Sequence, residues 1–160
     1  MTTTNNTTPI PGDSVLIRLG RIRHTGVPWI PPTVRLKQSL IHADNHEGRL
    51  LWLTDGKILN RVARAEHVII LDADGSLTLA GDIIEAGMYY EPDHWKMPYT
   101  SPQPWAGEPW ASWIALDNVH AIEFNPDQYR RLTGRKTVRE TISGPGFPAT
   151  LITPIEGATQ

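Results

Sequence analysis

Tyr89-Tyr90-Glu91-Pro92-Asp93-His94-Trp95-Lys96-Met97-Pro98-Tyr99-Thr100-Ser101-Pro102-Gln103-Pro104-Trp105-Ala106-Gly107-Glu108-Pro109-Trp110-Ala111-Ser112-Trp113 is the stretch on which the fold turns. It holds four of the six Trp and three of the four Tyr, interrupted by Pro92, Pro98, Pro102, Pro104 and Pro109. Proline has no amide proton and its ring clashes with the preceding helical turn. This spacing therefore forbids a helix and removes the donors a central strand needs. The stretch is predicted to be a long aromatic loop over residues 89–113. Loops of this length are as a rule functional or disordered, and so much Trp speaks against disorder.

On the N-terminal side of that loop the pattern is mostly β. Pro11-Gly12-Asp13 is a turn, and Val15, Ile17 and Leu19 share one face of a strand beginning at Ser14. The phase of alternation changes at Gly20, as at a bulge. Val34, Leu36 and Leu40 alternate with Arg35, Lys37 and Ser39, which predicts a second strand with one wet face. Leu50–Leu53 is apolar on both faces and predicts a central strand. Asp55-Gly56 is a hairpin signal, with Lys57–Val62 returning along it. Ile58, Leu59, Val62 and Ala65 also fit a helical face, but the flanking turns favour the strand. His67–Leu71 and Ser76–Ala80 flank the turn Asp72-Ala73-Asp74-Gly75.

On the C-terminal side, Trp113–Leu116 and His120–Phe124 read as short strands around Asp117-Asn118. One helix is predicted over about 126–133. Asn125 is its cap, Pro126 its first residue and Gly134 its stop. Turn signals recur every eight to twelve residues or so, as in all-β domains. The fold class is thus mainly β: a small barrel or barrel-like antiparallel sheet with a Trp/Pro-rich loop and one short C-terminal helix. Residues 1–12 are expected to be a flexible lead-in, 13–142 one domain, and 143–160 a flexible tail.

Composition narrows the chemistry. No Cys is present, so disulfides, thiolate metal sites and a Cys nucleophile are excluded. The N-terminus lacks the basic and apolar regions of a signal peptide, and no apolar run approaches a membrane span. A cytoplasmic location is the expectation. Net charge is only −2, but it is unevenly placed. From Ser14 to Ala43 there are five bases and no acid; from Glu66 to Glu123 there are ten acids and one base. Such asymmetry serves partner steering or self-assembly when the two regions lie on different surfaces.

Three clusters carry candidate chemistry. In an extended strand His42, Asp44 and His46 would share a face with ligand-like spacing for zinc or iron; a solvated turn explains them fully and is the favoured reading. Glu91, Asp93 and His94 place carboxylates and an imidazole at the entrance of the aromatic loop, where they are expected to serve partner binding rather than acid–base catalysis. Arg18, Arg35 and Lys37 form a candidate anion-binding stripe. No phosphate cradle of the GxGxxG or GxxxxGK type occurs. In the loop, Trp95, Tyr99, Trp105 and Trp110 either project as partner anchors or fold back as a lid on the domain.

The expected function is non-enzymatic binding and assembly. The aromatic loop and complementary charged regions would meet a protein partner or a second copy of the chain. No cofactor and no catalytic residue is expected. The alternatives are a β-barrel binding a small ligand, nucleotide or nucleic acid, and a metal-dependent enzyme using His42, Asp44 and His46. Nucleic acid is disfavoured because the aromatic loop lies in the acidic half, whereas stacking platforms carry positive charge.

Overall fold

The structure, a computed structural model, describes residues 8–19, 30–55, 58–72, 77–92, 98–144 and 149–155. Seven strands form one sheet: β1 (Ser14–Arg18), β2 (Leu50–Thr54), β3 (His67–Leu71), β4 (Thr78–Tyr90), β5 (Trp110–Ala121), β6 (Tyr129–Arg131) and β7 (Ala149–Pro154). Their order is β2-β5-β4-β3-β1-β7-β6. Only β1 and β3 run parallel. The mainly β expectation holds. The sheet is open, however, with β2 and β6 at its edges, so it is not a barrel.

Among the described residues three α-helices accompany the sheet: α1 (Pro32–Asp44), α2 (Leu59–Val62) and α3 (Val138–Ser143). The longest, α1, occupies the segment whose alternation predicts a strand. Its buried residues are Arg35, Leu36, Ser39 and Ala43, one helical face. An Arg and a Ser on that face hide it from a hydropathy reading. Pro32 lies in the first turn, where its missing N–H costs nothing. Strong helix formers such as Leu36, Lys37, Gln38 and Leu40 follow.

The remaining differences share one cause, the choice of strand partner. β2 pairs with β5, a strand distant in sequence, with Thr54 opposite Ser112, so β2 has no hairpin partner directly after Asp55 among the described residues, and Leu59–Val62 is helical. β5 is one strand through Asp117 and Asn118. Asn118 has φ 53, and the β4–β5 register shifts at two places nearby, so the turn-like pair is absorbed as a bulge. The helix expected over 126–133 stops after one 3-10 turn at Pro126–Gln128, because Tyr129–Arg131 pairs with β7. The cap was legible: Asn125 Oδ1 accepts the Asp127 amide. Val138–Ser143 form α3 behind a Thr137–Glu140 capping box. The C-terminal segment is no loose tail over its described part, since β7 lies between β1 and β6 and buries Leu151 and Ile152.

The sheet is covered on both faces. α1 and α2 bury Leu36, Ala43 and Val62 on the face that carries Val15, Leu50, Trp52, Val68, Ile70, Ile114 and Leu116. On the other face α3 contributes Val138 to a cluster with Leu16, Ile69, Tyr129 and Ile152. Beside it Trp105 packs with Leu51, Leu53, Tyr90, Trp110 and Ala115. Among the described residues no helix is long and apolar enough to cross a membrane.

Candidate functional site

The aromatic segment folds back along β2, the edge strand of the sheet. The Leu51 amide donates to the Thr100 carbonyl at 2.8 Å, away from β5. Alternate residues of a strand aim their amide and carbonyl the same way. The Leu53 carbonyl therefore also faces outward, and Arg35 Nη2 donates to it at 2.6 Å. A loop and a guanidinium close an edge that would otherwise invite another strand.

Arg35 is 4 % exposed and lies inside a tryptophan cage. Its guanidinium carbon is 4.0 Å from the centre of the Trp52 ring, 5.3 Å from Trp105 and 5.5 Å from Trp110. The three rings come from β2, the aromatic segment and β5. Each offers a negative π-face to a weakly hydrated cation. Burial pulls the Arg35 pKa down to about 9, and Asp55 partly opposes the fall. The cage is tied by Trp110 Nε1 donating to the Trp105 carbonyl at 2.8 Å and by Tyr90 OH donating to the Ala106 carbonyl at 2.8 Å. Tyr99 OH donates to Asp117 at 2.9 Å; desolvation first, then Asp117, raises its pKa.

With Trp105 and Trp110 turned inward, a different surface faces solvent at the start of the aromatic segment. Neighbouring strand residues point to opposite faces. Yet Met88 and Tyr89, 58 % and 72 % exposed, both stand in solvent while Tyr90 is buried. Tyr89 breaks the alternation with φ 65, a left-handed conformation that costs a tyrosine about 1–3 kcal/mol. Both side chains line a groove of about 320 Å³ with Asp55, Leu59, Asn60 and Ser112. Its wall is apolar and its polar groups are few, the pattern of a recognition site. Asp55 Oδ1 accepts the Ala111 amide at 3.0 Å, which fixes the carboxylate in the groove lining.

A second cleft, of about 270 Å³, lies at the end of α1 between Ile41, His42, His46 and Pro102. The His42 and His46 rings stack at 4.0 Å and 17°. His42 Nε2 is 2.9 Å from Thr100 Oγ1, and His46 Nδ1 is 2.6 Å from the His42 carbonyl. Burial, then the neighbouring His46, lowers the His42 pKa. Asp44, two residues on in a helix, is turned about 200° from His42 and is exposed. The structure thus brings two of the three expected metal ligands together and leaves the third apart. Among the described residues no group of three or more His, Asp or Glu is placed to hold a metal ion.

No family model, no curated protein and no solved structure matches this chain.

The other expected site residues are dispersed. Arg18 Nη1 donates to the Ile142 carbonyl at 2.6 Å, Arg35 is caged, and Lys37 is exposed on α1, so the three do not form one stripe. Glu91 is exposed just past β4. Asp93, His94 and Trp95 lie outside the described residues. Sequence reasoning missed Asp55, Asn60 and Met88, which no local motif joins, and it read Tyr89 as part of the loop without singling it out. The available signal was two large side chains, Met88 and Tyr89, directly before a buried aromatic.

Proposed function

We propose that this protein is a non-catalytic binding and assembly module whose contact surface is the rim of the aromatic segment. One observation carries it: Tyr89 is held in solvent by a strained backbone, with the exposed Met88 beside it at a groove, while Trp105 and Trp110 are packed into the core. Ile84, 51 % exposed, extends the row along β4. Exposed aromatic and Met side chains in a row are typical anchors of protein contacts. Charge supplies a second support. Asp55, Glu85 and Glu91 are exposed near this rim, with Arg61 on the neighbouring α2, whereas Arg130, Arg135, Lys136 and Arg139 outnumber the exposed Asp127 and Glu140 around β6 and α3, at the other edge of the sheet. The chain is thereby suited to meeting its own copy.

Sedimentation analysis over a range of concentrations, at about 50 mM and about 500 mM salt, tests this. The expected result is a mass above 17.9 kDa that falls as salt rises. A monomer under all conditions overturns it.

The groove volume also supports a second reading, a small-ligand site, since about 320 Å³ lies within the range of such pockets. Thermal-shift screening with nucleotides and small cations reads it directly, because a ligand of the native state raises the melting temperature.

A further inference from the structure

We infer that the Asp55–Tyr89 groove of one copy receives the basic loop around Arg135 and Lys136 of a second copy, head to tail. This rests on the assembly reading above and names its two surfaces. The groove offers what a long cationic side chain needs. Met88 and Leu59 give an apolar wall for the aliphatic stem, Tyr89 a π-face for the charge, and Asp55 a carboxylate in the lining. Asn60 and Ser112 add polar atoms along the wall.

The same chain presents such side chains elsewhere. Between β6 and α3, Thr133–Thr137 is exposed, and Gly134, with φ 87, turns the loop. Not every base nearby is available. Arg131 Nε donates to Thr150 Oγ1, and Arg139 is held by both oxygens of Asp127 at 2.9 Å. Arg135 and Lys136, at the loop tip, have no ion-pair partner within 4.0 Å among the described residues.

A chain cannot fill its own groove along the sheet. β3, β1 and β7 separate β4 from β6, four interstrand steps or roughly 19 Å. The two surfaces differ, so the contact is heterologous and continues into a ring or a filament.

The test uses the full chain and two lesions. Tyr89→Gly with Asp55→Asn removes the ring and the groove charge. Glycine accepts φ 65, and asparagine keeps an oxygen for the Ala111 amide. Arg135→Glu with Lys136→Glu reverses the loop. Each double variant alone is expected to weaken association at least about tenfold. Mixed, they are expected to form a 1:1 complex and nothing larger, because only one intact groove and one intact loop remain. Circular dichroism confirms that each is folded; if the first is not, Tyr89→Asn, which tolerates the left-handed region, replaces it. Assembly of either variant at wild-type strength overturns the groove-and-loop contact while leaving self-association standing. So does a mixture that stays monomeric. A wild-type chain that is itself monomeric overturns both.

Discussion

The Arg35 guanidinium carbon lies 4.0 Å from the centre of the Trp52 ring, and its Nη2 donates to the carbonyl of the next residue, Leu53. A single side chain of α1 thereby holds the ring of the edge strand on one side and its backbone on the other. A cation–π contact of a desolvated guanidinium is worth about 2 kcal/mol, and a charged hydrogen bond about 1.5–3 kcal/mol. Arg35→Ala is expected to cost about 3 kcal/mol or more in urea unfolding. Arg35→Lys is expected to recover only part of this, because an ammonium cannot spread over three rings while reaching Leu53. Equal stability of Arg35→Ala and wild type would remove the cage from the account of the fold.

Gly87 sits directly opposite Trp113 in the β4–β5 pair, and a Cβ there would come 2.6 Å from Trp113 Cζ2. The indole rests on the bare glycine backbone. Gly87→Ala is expected to push the ring away and cost about 1–3 kcal/mol, the usual range for overpacking. Near-ultraviolet circular dichroism reports the ring and thermal unfolding the cost. Because Gly87 precedes Met88 and Tyr89, the same variant is expected to disturb assembly.

His42 sets a pH dependence with a definite sign. Its folded-state pKa lies below 6.5, its ordinary value, chiefly through burial and then through His46. Between the two values the unfolded chain binds the proton and the native chain does not, so stability falls as pH drops below about 6.5. His42→Gln is expected to flatten the unfolding midpoint between pH 7 and pH 5. A second loss comes lower. The Arg139 contact depresses the pKa of Asp127, and the Thr137 amide depresses that of Glu140, so their contributions fade only through the carboxylate range. A midpoint that declines between pH 7 and pH 5 as steeply in His42→Gln as in wild type would assign the effect to another group.

A chain ending at Gly144 is expected not to fold. It lacks β7, whose Ala149–Ile152 pair with β1 and whose Ile152–Pro154 pair with β6. Removing an inner strand exposes Leu16, Ile69 and Tyr129 in the cluster around Ile152. The expected signature is dye binding to exposed apolar surface and no cooperative melt. A sharp melting transition in the shortened chain would show that β7 is dispensable.

Part of this architecture was legible from local chemistry alone. Alternation located β1 and the start of β4, because a strand with side chains on two faces imposes period two whatever its partner. Among the described residues, prolines kept α-helix and strand out of 98–109, since a missing amide proton is a property of the residue itself. Asn125 was recognisable as a cap for the same reason.

What remained was decided by contacts between segments far apart in sequence. Pro32–Asp44 carries a pattern compatible with strand or helix, and it became a helix because Arg35 is stabilised by rings at 52, 105 and 110. Trp105 and Trp110 could as well have been anchors for a partner; the free edge of β2 drew them inward. Asp55, Asn60 and Tyr89 form one groove only because β2 pairs with β5 and β5 with β4. Local sequence determined the conformational preference of each piece. Tertiary structure chose the partners, because burying apolar surface and closing strand edges are gains that no single segment makes alone.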